Sequence, residues 1–194
     1  MTDLWRNLFG DDNPVEVEIG PERGTFLLAA AAARRQVNFL GIERSPNRSA
    51  RLARTLGKSG LENIRLVCGD AACIVEHVLP SESVTAYHVY FPDPWWKRRH
   101  LHRRLITPAF AAAVERTLVR GGRMHLLTDV PDLFAYARAN LARCVGLVAT
   151  ESVPLPPVRT AFQMKAEQRG ARLYGLILEK RIVDGSAAVK VGAA

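Results

Sequence analysis

Several absences narrow the possibilities before any motif is read. No apolar run is long enough to cross a bilayer, since the Ala-rich stretch Leu27 to Ala33 is short and ends in Arg34-Arg35. The first ten residues carry Asp3 and Arg6 among apolar neighbours and lack the layout of a secretory signal. A cytoplasmic location is therefore expected, and a membrane partner is not. Cysteine is scarce: Cys68, Cys73 and Cys144 form an odd set whose spacings match neither a metal site nor a redox pair. They read as small apolar residues of the interior, and no metal is expected. Acidic residues are missing from Lys97 to Arg104, a run that holds Lys97, Arg98, Arg99, Arg103 and Arg104 together with His100 and His102.

What is present describes an ordinary globular chain of 194 residues, 48% hydrophobic and 24% charged. It fits a single domain over 1–194, with a short N-terminal arm over 1–13 and a loose tail over 184–194. The 27 Lys and Arg against 19 Asp and Glu give a net charge of +8, and the pI is about 9.9. Such a balance suits a polyanionic partner. Distribution says more than the total: a solvated charged face mixes signs, whereas the unbroken run suits phosphate contact.

The order of apolar runs gives the fold class. Val15 to Ile19, Asn38 to Ile42, Asn63 to Cys68, Val84 to Phe91, Arg123 to Thr128, Gly146 to Ser152 and Leu173 to Glu179 read as strands. Helices are expected over Thr25 to Arg35, Pro46 to Lys58, Ala71 to Val78, Thr107 to Leu118 and Pro131 to Cys144. Thr107-Pro108 supplies a cap followed by proline at the first helical position. This alternation predicts an α/β fold, a mainly parallel sheet with helices on both faces.

In such sheets ligands sit beyond the carboxyl ends of the strands, at the point where strand order reverses. Acids fall at five strand ends: Glu18, Glu43, Asp70, Asp93 and Asp129. Turns favour aspartate on their own account, but five positions of this kind suit one shared site. Gly20 and Gly24 bracket a loop after the first strand that lets backbone approach a nucleotide. That loop lacks the middle glycine of a GxGxxG fingerprint and is no GxxxxGK[ST] phosphate loop. A pocket of acceptors without a phosphate cradle favours S-adenosylmethionine over NAD: Glu18, Glu43 and Asp70 can serve its amino group, ribose and adenine. Asp93 stands between Pro92 and Pro94, whose rings restrict the backbone and hold it at the mouth of the site. Trp95 and Trp96 next to it offer aromatic surface to a base.

The run Phe91-Pro92-Asp93-Pro94-Trp95-Trp96-Lys97-Arg98-Arg99-His100, continuing to His102-Arg103-Arg104, resembles the signature of bacterial tRNA (guanine-N7)-methyltransferases. Glu18-Ile19-Gly20, Gly41-Ile42-Glu43, Gly69-Asp70-Ala71, Thr128-Asp129 and the segment from Thr160-Ala161-Phe162 to Gly170 follow in the family's order. The resemblance covers residues 15 to 180. It implies a Rossmann-like class I methyltransferase with a seven-stranded, mostly parallel sheet and a reversed last strand. It also implies cofactor contacts at Glu18, Gly20, Glu43, Asp70 and Asp93, and tRNA contacts at Lys97, Asp129, Thr160 and Gln163. The implied target is a guanine in the tRNA variable loop. Two positions depart from the family's pattern: Glu22 stands where a glycine is usual, and Gln163 where a glutamate is usual.

Guanine N7 is an unprotonated lone pair, so methylating it requires no base and no His or Cys nucleophile. Asp93 is expected to orient the base and to stabilise the charge that develops on it. Competing expectations are a methyltransferase acting on another substrate, because fold does not fix substrate, and an RNA-binding relative with an impaired cofactor loop at Glu22. Assembly stays open between monomer and homodimer.

Overall fold

The computed structural model describes residues 3–150 and 160–182. Strand β1 (Val15–Ile19) has the Val-Glu-Val-Glu-Ile alternation of a half-exposed strand, yet both of its faces are buried. Val15, Val17 and Ile19 enter one apolar core. Glu16 and Glu18 lie against helix α2 (Thr25–Ala33) on the other face, where Glu18 accepts the Leu27 backbone N–H. Strands β2 (Asn38–Glu43) and β3 (Ile64–Cys68) extend the sheet on one side of β1. On its other side come β4 (Val84–Tyr90), β5 (Leu118–Thr128), β7 (Tyr174–Lys180) and β6 (Leu147–Ala149), giving the order β3-β2-β1-β4-β5-β7-β6. Strands β1 to β5 pair in parallel, and β7 runs antiparallel to both β5 and β6. The expected seven strands with a reversed last strand are present.

Helices α1 (Asp3–Phe9), α4 (Ala71–His77), α5 (Pro108–Thr117) and α6 (Pro131–Leu141) cover one face, around Tyr87, Phe110, Val114 and Met124. Helices α2 and α3 (Pro46–Gly57) cover the other, where Phe26, Leu27, Phe39 and Ile64 form a second core. Gly24 initiates α2 at φ 71, and a Cβ there would stand 2.4 Å from Leu52 Cδ1 of α3, so glycine serves both backbone and packing. The last helix, α7 (Ala161–Gln168), leads into β7.

Three expectations change. The N-terminal arm contains α1, whose Trp5 is only 1% exposed and anchors a helix with little intrinsic reason to form. Strand β5 begins at Leu118, directly after α5, and runs through Gly121-Gly122 instead of starting after them. Gly122 has the Val119 carbonyl 2.8 Å from where a Cβ would be, and the pairing with β4 shifts register between Val84 and Ala86. The glycine pair thus makes an irregularity within a strand, not a turn before one. Finally, the basic segment holds a short 3-10 turn over Arg98–Arg103. The expected tail over 184–194 lies outside the described residues, as does the end of the expected sixth strand beyond Thr150.

Candidate active site

Strand order reverses between β1 and β4, and the carboxyl ends of β1 to β4 open onto one cavity of about 460 Å³. Gly20, Glu43, Asp70 and Asp93 all line it, so three of the five strand-end acids meet at this cavity, while Glu18 and Asp129 do not line it. Each is fixed by local backbone chemistry. Gly20 sits at φ 72 and donates its N–H to the Ile42 carbonyl at 2.9 Å, which joins the ends of β1 and β2. Glu43 is buried and accepts the Ser45 N–H at 2.8 Å. Asp70 caps α4, accepting from Ala72 N–H at 3.0 Å and Cys73 N–H at 3.2 Å. Asp93 is exposed at the cavity rim.

The loop that carries Asp93 is strained. Phe91 and Trp95 hold φ of 50 and 48, in the left-handed region that disfavours any residue with a Cβ. Backbone of this kind costs on the order of 1–3 kcal/mol per residue and persists only where contacts hold it. Phe91 N–H donates to the Leu127 carbonyl at 2.7 Å, and its ring stacks on Phe162 of α7 at 6.2 Å. Trp95 packs edge-on against His100 at 5.8 Å and under the Arg103 guanidinium at 5.1 Å. Glu22 also lines the cavity, at φ 47. The turn therefore keeps the conformation that a glycine adopts freely, although the residue is a glutamate.

Glu18 stands one step behind, in a small pocket that shares Gly20, Glu22, Tyr90 and Phe162 with the main cavity. It is 4% exposed, and its Oε2 has no hydrogen-bond partner among the described residues. Burial pushes its carboxyl up to about 8, against the single hydrogen bond from Leu27 N–H. A buried acceptor without a donor is the feature a cationic or hydroxyl-bearing ligand group would satisfy.

Beside Glu18 runs a polar chain that the sequence does not announce. Glu16 accepts from the Arg34 guanidinium at 2.5 and 2.8 Å and contacts His88 Nε2 at 2.8 Å. Burial alone would raise the Glu16 carboxyl, but the hydrogen bonds from His88 and Arg34 outweigh it and hold the group at about 2. With Glu16 ionised, His88 Nε2 is the donor to it. His88 Nδ1 is then an acceptor, and the Tyr90 hydroxyl donates to it at 2.9 Å. His88 also stacks on His125 at 5.0 Å. Burial lowers both histidines, His125 to about 4.

The residues expected to meet substrate fall elsewhere. Lys97 is exposed at the start of the 3-10 turn and lines neither cavity. Thr160 caps α7, accepting the Gln163 N–H at 3.1 Å, and lines the small pocket beside Glu18. Gln163 is fully buried, and its amide donates to Glu167 at 3.0 Å. Asp129 pairs with Arg169, just beyond the end of α7. Asp129, Thr160 and Gln163 therefore converge on one helix, whose Phe162 reaches the main cavity. Sequence reasoning missed Tyr90, which lines both cavities, and the hydrogen bond from Arg104 to the Pro94 carbonyl. An early sign of the former was that His88 and Tyr90 stand at alternate positions of the strand.

Comparisons with known proteins agree with this geometry. A family model described as "Putative methyltransferase" matches residues 12–176. The tRNA (guanine-N(7)-)-methyltransferase of Klebsiella pneumoniae subsp. pneumoniae is 38% identical over 180 residues, covering 89% of this chain and 75% of that protein. Its counterpart from Alcanivorax borkumensis is 34% identical over 181 residues, covering 90% and 76%. Among solved structures, the 16S rRNA methyltransferase KamB is similar at a TM-score of 0.65 and 16% identity, over 94% of each chain. A SAM-dependent methyltransferase from Aquifex aeolicus gives a TM-score of 0.61 at 11% identity, over 92% of this chain and 88% of that one. The structural likenesses establish a class I methyltransferase fold. Identity at this level, sustained over almost the whole chain and joined to the acid-lined cavity at the reversal of strand order, places the chain in the tRNA (guanine-N(7)-)-methyltransferase family.

Proposed function

We propose that this chain transfers a methyl group from S-adenosylmethionine to N7 of a guanine in the variable loop of tRNA, with Asp93 as its catalytic residue. The observation that carries the reading is the position of Asp93. It stands at the rim of an acceptor-lined cavity, next to a cationic segment in which Lys97, Arg98 and Arg99 are exposed.

The residues present fit the cofactor. Its polar groups are an ammonium, ribose hydroxyls and an adenine edge, with no phosphate, and the cavity together with the small pocket behind it offers acceptors for all three. We assign Glu18 to the amino group, because its buried Oε2 has no partner among the described residues. Glu43 is assigned to the ribose and Asp70 to the adenine side, with Gly20 giving close backbone approach and Asp93 closing the rim. Ile19, Ile42, Ala71 and Leu105 supply apolar wall. When bound, S-adenosylmethionine supplies an electrophilic methyl group on a positively charged sulfur.

The chain then has to hold the guanine and keep water out. N7 carries a lone pair, so no residue has to remove a proton from it. Phe91, Trp95 and Phe162 give the rim an apolar lining suited to a planar base. In-line positioning can supply roughly 7–11 kcal/mol of barrier lowering. The purine becomes cationic as the bond forms, and the Asp93 carboxylate stabilises that charge. Lys97, Arg98 and Arg99 hold phosphates. Asp129, Thr160 and Gln163 serve the substrate end by fixing α7, and with it Phe162, at the cavity. We place the reaction in the cytoplasm, carried out by one domain. Among the described residues no helix is long and apolar enough to cross a membrane.

The test is transfer of isotope-labelled methyl to unmodified tRNA, with 7-deazaguanosine substituted at the variable-loop guanine. Label is expected on the natural tRNA and not on the substituted one. Equal labelling of both would exclude N7 of that base as the acceptor.

A further inference from the structure

The basic run divides by burial and by partners. Lys97, Arg98 and Arg99 are exposed, and their side chains have no partner among the described residues. Arg104 is half-buried. Its Nε donates to the Pro94 carbonyl at 3.2 Å, and its guanidinium lies over the Tyr136 ring of α6 at 5.1 Å. Its own N–H is tied to the Leu101 carbonyl at 3.1 Å, which closes the 3-10 turn.

We propose that Arg104 is a positioning residue that fixes Asp93 by clamping the carbonyl of the next residue to α6, and that it is not a phosphate contact. The proposal rests on the assignment of Asp93 made above. Two observations support it. First, the loop has little means of holding itself. Pro92 and Pro94 have no N–H, and Phe91 and Trp95 sit at positive φ, so the conformation depends on donors and packing from outside. Phe91 is held from β5 and α7. Beyond Asp93, the Arg104 hydrogen bond connects the loop to the opposite wall. Second, the arrangement needs a guanidinium. A planar group can lie flat on a tyrosine ring while an in-plane N–H points at a carbonyl, and a lysine ammonium keeps the charge without that geometry.

The experiment compares Arg104→Lys with wild type at saturating S-adenosylmethionine. Arg104→Lys is expected to lower kcat roughly 10- to 100-fold. It should leave the salt dependence of tRNA binding unchanged. In an Asp93→Ala background the same substitution should have no further effect on kcat, because it acts through Asp93. Tyr136→Leu should reproduce the loss and Tyr136→Phe should restore it, which keeps the test intact if Arg104→Lys lowers the melting temperature. A salt slope reduced by about one with kcat unchanged would show Arg104 to be a phosphate contact and overturn the proposal. So would full additivity with Asp93→Ala, or no effect on either quantity. Should Asp93→Ala alone retain wild-type turnover, the assignment of Asp93 fails, and that result is distinguishable from the others.

Discussion

Two carboxylates of the site stand in opposite surroundings. Asp93 is exposed and ready to meet a substrate, whereas Glu18 is sealed behind the cavity with one oxygen unsatisfied among the described residues. Burial pushes Glu18 up to about 8, so near pH 7 it carries a proton in the free protein. An ammonium docking beside it favours the carboxylate. Binding of S-adenosylmethionine near pH 7 should therefore release about one proton, and affinity should rise with pH up to about 8. Titration calorimetry in buffers of different ionisation enthalpy measures this directly. Glu18→Gln should abolish the release, and a wild-type binding heat that does not depend on buffer would refute the assignment. Glu43, Asp70 and Asp93 could be picked out in the sequence because each closes or follows a strand that apolar runs mark. Gln163 was legible only as a motif member. Its burial depends on how α7 packs, and its amide suits a position facing Glu167, where a second carboxylate would meet like charge.

At the level of elements, the α2 face of the sheet is unusual in being polar at its centre. Glu16 and Glu18 of β1, His88 and Tyr90 of β4, and His125 of β5 meet where an α/β fold ordinarily buries aliphatic side chains. The pattern of β1 shows the alternation, but not that a histidine 72 residues later will supply the partner for Glu16. The chain sets a pH dependence whose sign is fixed. Glu16, held at about 2, stabilises the fold fully above its unfolded value near 4.5 and loses that contribution as pH falls toward 2. His88, buried, and His125, half-buried, are neutral in the fold, and the unfolded chain binds their protons first, so stability falls as pH drops from about 6.5 toward 4. The melting temperature should therefore already decline between about pH 6.5 and 5, above the range in which ordinary carboxylates titrate. His125→Phe should remove part of that slope, on the order of 1–2 kcal/mol, in thermal unfolding followed by circular dichroism. A flat profile between pH 7 and 5 would contradict neutral histidines at these two positions. The same distance in sequence hides other contacts. Helix α1 rests on Trp5 packing rather than on its caps, and Arg104 could not be told from Arg98 or Arg99 until Tyr136 of α6 was brought beside it.

Over the whole molecule, a net charge of +8 supplies long-range attraction to a polyanion, while the exposed Lys97, Arg98 and Arg99 concentrate it beside the cavity. Replacing all three by alanine should lower the slope of log K for tRNA binding against log salt by roughly 2–3, at about 0.7–0.9 for each phosphate no longer neutralised. An unchanged slope would remove this segment from the interface. Once RNA is bound, the proposal requires that Asp93, at the rim of the cavity, act on the base. Single-turnover methyl transfer to tRNA by Asp93→Ala, at saturating cofactor and tRNA, tests this most directly. Asp93 is exposed, so the variant should keep its melting temperature while its transfer rate falls roughly 10²–10³-fold. A rate within a few-fold of wild type would contradict the account.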